Sequence, residues 1–145
     1  MSNYAIDTLN NVYTTPIMKP GSVVDVDGVS YRYVFNSSTT TAITAYYPAY
    51  IATTDGWDCV GASASGLNTK IPVGVAHTEI GTREYGFVAY HGVHTYHATT
   101  SATECYNLQG VAEGLGVSSA TTDFVVGVVV YGTAAAGNAV AYLNM

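Results

Sequence analysis

The chain has 145 residues, enough for one domain with a real hydrophobic core. Charged residues make up only 10% of it, where a soluble domain carries about 25%, while hydrophobic residues stand at 48%. The net charge is −6, and four cations (Lys19, Arg32, Lys70 and Arg83) cannot build the basic stripe that phosphates need, so neither nucleic acid nor an anionic membrane is an expected partner.

Thr, Ser, Gly, Asn and Tyr replace the missing charge. Thirteen tyrosines stand against three phenylalanines. Tyr and Thr suit pleated, half-buried surfaces, so the composition leans towards an all-β protein. Cys59 and Cys105 form no CxxC pair. Their spacing does not decide whether they are joined, and two free buried thiols are the expected state. The opening MSNYAIDTLNN lacks a basic n-region and an apolar h-region, so synthesis in a cytoplasm is expected. The longest apolar run, FVVGVVVYG from Phe124, is too short to cross a bilayer.

Residues 1–20 show no clear period and read as an extended arm whose course is set by Pro16 and Pro20. Tyr4, Ile6, Leu9, Val12, Tyr13 and Ile17 make it too apolar for a solvated tail, so it is expected to tie onto a neighbour. The remainder, 21–145, reads as one β-rich domain. SVVDVDGVSYRYVFN is a hairpin signal, with alternating Val24, Val26, Tyr31, Tyr33 and Phe35 around Asp27-Gly28. STTTAITAYYPAYIAT reads as a strand with an edge or a bulge at Pro48. TTDGWDCVGASASGLNTK reads as a loop around the single Trp57.

The second half holds an internal echo. IPVGVAHTEIGTREYGFVAYHG and FVVGVVVYGTAAAGNAVAYLN each combine a Val-Gly-Val entry, a turn and an alternating strand. Both read as hairpins. Between them, residues 103–113 are compatible with a short helix carrying Cys105, Leu108 and Ala112 on one side. The glycines at 110, 114 and 116 limit it to a few turns. The sum is roughly eight strands and at most one short helix: a single-domain antiparallel β-sandwich or barrel built from hairpins.

Candidate sites are few. YHGVHTYHA places His91, His94 and His97 at steps of three. Zinc binding requires three imidazoles to converge. On a strand His91 and His97 share a face and His94 points to the other, so these are weak metal candidates. Polar dressing of a half-exposed strand and a pH-dependent contact are the other readings. Asp25 and Asp27 in VVDVDG, and Asp55 and Asp58 in DGWD, fit turn chemistry better than a calcium loop, which needs more oxygen ligands in sequence. GASASG lacks the strand–turn–helix context of a nucleophile elbow, and no phosphate-binding glycine loop is present. Nothing points to an enzyme or to a cofactor. Tyr46, Tyr47, Tyr50 and Trp57 suit core packing singly and protein–protein contact as a group.

PVGVAHTEIGTREYGFVAYHG and VVGVVVYGTAAAGNAVAYLNM resemble the small β-rich decoration, or cement, proteins of tailed-bacteriophage capsids. Gly74, Val75, Ala76, Gly86, Gly127, Ala136, Gly137, Val140 and Leu143 carry the likeness, and KPGSVVDVDGVSYRYV looks like an opening strand pair of such proteins. The likeness covers about half the chain. The longer TTDGWDCVGASASGLN loop and the histidine-rich strand depart from the commonest short forms. The resemblance implies a structural virion protein on the outer capsid surface, without catalysis. Its partners would be the major capsid protein and copies of itself, as a trimer or dimer. A carbohydrate-binding or adhesin-like module using Trp57 and the tyrosines is the alternative reading, and a metal-dependent enzyme built on the histidines is the third.

Overall fold

The computed structural model describes residues 7–52, 57–61, 71–98, 102–103, 107–111, 114–117, 125–129, 133–134 and 137–145, with side chains for 7–52, 57–61, 71–97 and 139–145. It is all-β, with 54% of residues in strands. Among the described residues twelve strands run in order: β1 (Val23–Val26), β2 (Val29–Asn36), β3 (Pro48–Ile51), β4 (Asp58–Val60), β5 (Pro72–Ala76), β6 (Tyr85–Ala98), β7 (Ala102–Thr103), β8 (Asn107–Val111), β9 (Gly114–Val117), β10 (Val125–Val129), β11 (Thr133–Ala134) and β12 (Gly137–Asn144).

The β1–β2 hairpin closes at Asp27-Gly28. Both residues have positive φ, 51° and 80°, the primed turn whose twist matches its flanking strands. From there β2, β4, β3, β5 and β6 form a closed five-stranded barrel, completed where β6 pairs back onto β2. Every pairing in this ring is antiparallel except β2 with β4. Closure leaves no free edge within the ring. Pro48 is the first residue of β3, which lies between β4 and β5 and is no edge strand. The bulge expected near the proline falls one step later, between Ala49 and Tyr50. A strand's first residue tolerates the missing N–H.

Val34, Ala49, Cys59, Val73 and Val88, one from each barrel strand, share a buried cluster with Ile43, Ala76 and Ile80. Asn36 is fully buried beside it, and its Nδ2 donates towards the carbonyls of Thr41, Ile80 and Gly81 at 3.0–3.1 Å. That one amide pins the loop after β2 to the turn before β6. The second cluster packs Tyr31 and Tyr33 of β2, Phe87, Ala89 and Tyr96 of β6, and Ala141 and Leu143 of β12.

The N-terminal arm covers this second cluster. Residues 7–9 make one helical turn that buries Leu9 to 2% exposure. Tyr13 and Tyr85 exchange backbone hydrogen bonds at 2.9 and 2.8 Å, and the Ile17 N–H donates to the Tyr33 hydroxyl at 3.2 Å. The apolar arm is therefore docked on its own chain.

The helix expected over 103–113 is not formed: Asn107–Val111 is a strand. It makes a hairpin with β9, in which Leu108 pairs Val117 and Val111 pairs Gly114. Glycine disfavours a helix, while β-branched valine favours a sheet, so pairing prevails over a weak helical period. Cys105 and Ala112 lie outside the described residues. The two echoing segments do form antiparallel pairs, β5 with β6 and β10 with β12. Their second strands also pair with each other along the whole of β12. Strand β6 thus serves the barrel with its first half and the C-terminal strands with its second.

Candidate functional site

The placement of the histidines follows from one irregularity in β6. Ser30 of β2 faces His91, but Tyr31 faces Ala89, so Tyr90 is an extra residue. A bulge reverses which side each later residue faces. Before it, Phe87 and Ala89 join the second cluster; after it, His94 and Tyr96 are the buried residues. Gly92, at φ 101°, accommodates the β1–β2 turn, because a Cβ there would lie 2.5 Å from the Gly28 carbonyl oxygen.

The three histidines consequently meet three different partners. His91 is exposed, and its Nε2 lies 2.9 Å from the Tyr142 hydroxyl. His97 stacks on Tyr47, with ring centres 4.7 Å apart and planes at 21°. His94 is buried among the rings of Tyr31, Tyr46 and His77. Its Nε2 is 3.1 Å from His77 Nδ1, its Nδ1 is 2.6 Å from the Thr95 carbonyl oxygen, and His77 Nε2 is 2.9 Å from Asn10 Oδ1. Burial pulls the His94 pKa down to about 4 and lowers that of His77. Sequence spacing gave no sign of His77, which pairing of β5 with β6 brings beside His94. Among the described residues, no three His, Cys, Asp or Glu side chains converge to hold a metal ion.

The outward sides of β6 and β12 form one surface. Register places Asn144 beside His91, Tyr142 beside Val93, and Val140 beside Thr95. Val93 and Tyr142 are 46% and 42% exposed. These outward residues include no Asp, Glu, Lys or Arg.

The residues expected at an interface have separate fates. Tyr4 and Ile6 lie outside the described residues. Leu9 and Tyr50 are buried in the chain's own core, so neither presents surface to a partner. Tyr13, Tyr46 and Tyr47 are half-buried, whereas Val12 and Ile17 are exposed. Trp57 is half-buried at the start of β4, with Arg32 over its ring. Asp25 accepts a hydrogen bond from Ser30 across the hairpin and Asp27 occupies the turn, so their roles are structural. Cys59 is a free thiol inside the barrel; burial first, then Asp58, pushes its pKa up to about 12 against a lowering pull from Arg32. A thiol held that far from ionisation is a poor nucleophile.

Among the described residues, no helix is long and apolar enough to cross a membrane. No protein-family model matches the chain, and no curated protein matches it.

Proposed function

We propose that this chain is a structural virion protein of the decoration type, which attaches to the outer surface of an icosahedral phage capsid and stabilises it without catalysis. The observation that carries the reading is the charge-free outward face of β6 and β12, where Val93 and Tyr142 stand exposed between His91 and His97. Uncharged surface with aromatic and aliphatic side chains suits burial against a partner. Repetition over a shell converts weak contacts into firm attachment. The glycine–valine hairpins that resemble decoration proteins lie in the same strands, β5, β6, β10 and β12. Self-association as a trimer or dimer belongs to the same proposal. The glycan reading would need Trp57 as a stacking platform, yet Arg32 already lies 4.2 Å from its ring centre.

The test is rebinding. Purified protein should bind phage heads that lack it and raise their resistance to heat, whereas Val93→Asp with Tyr142→Asp should lose occupancy while remaining folded. A protein absent from virions by mass spectrometry would end the proposal.

A further inference from the structure

We propose that Arg32 is the receptor of a carboxylate-binding site at the barrel wall. Arg32 lies on β2 between two neighbours, and each sends one ring against it. Trp57, just before β4, is 4.2 Å from the guanidinium carbon, and Tyr90, the bulged residue of β6, is 4.1 Å from it. Trp57 is itself held from behind. A Cβ on Gly21 would fall 2.0 Å from its Nε1, so the bare backbone of Gly21, at φ 91°, is what fits there. The bracket is assembled from four separate parts of the chain.

A bracket of this kind covers the guanidinium with rings and leaves its edge for polar contact. Among the described residues that edge has no partner. Nε is buried without a hydrogen-bond partner, and no ion pair or hydrogen bond joins the Arg32 side chain to another described residue. Arg32 as a whole is half-buried, so part of its side chain is accessible. A guanidinium has five N–H donors, and leaving them unmatched is costly. Arg83 shows the contrast: it lies over Phe35 at 4.8 Å, but its Nη1 donates to the Ser37 carbonyl oxygen at 3.5 Å.

The chemistry of the ligand follows. It must approach in the guanidinium plane, which matches a planar carboxylate accepting two parallel N–H bonds. One cation in a chain of net charge −6 suits a single negative charge better than a phosphate dianion. The carboxylate is either a free organic acid or an acidic side chain on a partner protein. The inference does not depend on the virion reading.

Two intrinsic reporters test it. Trp57 is the sole tryptophan, and Arg32 and Arg83 are the sole arginines. The protein is titrated at constant ionic strength with glutarate, with acetyl-Gly-Glu-Gly-amide, and with the corresponding glutamine peptide. We expect a saturable change in Trp57 emission and a shift of the Arg32 Nε–H resonance, with the Arg83 resonance unmoved and the glutamine peptide inert. Arg32→Lys keeps the charge but loses the fork and should weaken binding by roughly tenfold or more. Saturation by the peptide alone assigns a protein partner, and saturation by glutarate assigns free acids. No saturable response to either acid, or an equal response in Arg32→Lys, overturns the site. The wild-type Nε–H readout decides even where a variant fails to fold.

Discussion

His77 Nδ1 and His94 Nε2 face each other at 3.1 Å, and only one proton fits between them. The Thr95 carbonyl can only accept, so the proton of neutral His94 sits on Nδ1, and its Nε2 accepts from His77 Nδ1–H. His77 Nε2 is then an acceptor, which the Asn10 side chain satisfies by presenting its amide NH2 in place of Oδ1. A further proton on His94 would make His77 move its own proton from Nδ1 to Nε2 and would place a charge in a desolvated pocket, which burial disfavours. The pair is built to be neutral, and it ties the N-terminal arm to β5 and β6.

Stability should therefore fall in acid. The folded pKa of His94 lies near 4, below the unfolded value of about 6.5, so the unfolded state takes up protons first. The stabilisation is complete above pH 6.5 and is lost as the pH falls through 4. The full loss from His94 is roughly 3 kcal/mol, and His77 adds in the same direction. The groups facing the pair are Tyr31 and Tyr46, with Asp27 acting on Tyr31. Urea midpoints between pH 8 and 4 should slope steeply in the wild type and less in His94→Gln; parallel curves would refute the assignment.

Leu9→Ala should cost about 2–4 kcal/mol, because it opens a hole in the second cluster beneath the arm. Hydrogen exchange at the Tyr13 and Tyr85 amides should accelerate in the same variant, since those residues clasp the arm to β6. An unchanged unfolding midpoint would mean that the arm contributes nothing to its own chain.

Asn36→Ala should be as damaging as a large core truncation, about 2–4 kcal/mol, since three carbonyls lose their shared donor. Asn36→Asp keeps the shape but replaces the NH2 with an acceptor, so it should be no milder. Chemical denaturation of both variants checks this, and a mild Asn36→Asp would show that the donor is dispensable.

Local signals were legible in the chain itself. Asp27-Gly28 specified its turn because a primed turn selects its residues within two positions. Alternation likewise separated His91 and His97 from His94 without any structure. The helix expected over 103–113 failed for the same physical reason in reverse: a few weak helical preferences are outweighed by strand partners that a local window does not contain. Leu9 and Tyr50 read as surface anchors because burial depends on what packs over a residue. Arg32 looked like one of four scattered cations, and nothing near it in sequence announced Trp57 or Tyr90.

By itself, then, the sequence determined the all-β character, the first hairpin and the relative facing of the three histidines. These depend on residue type and period over a few positions. Only the tertiary structure decided which face is inside. The extra residue at Tyr90 exists only relative to β2, and it sends His94 into the interior while leaving His91 and His97 outside. The same bulge carries Tyr90 to Arg32. Register between strands distant in sequence is set by the closure of the barrel as a whole, and no local pattern records it.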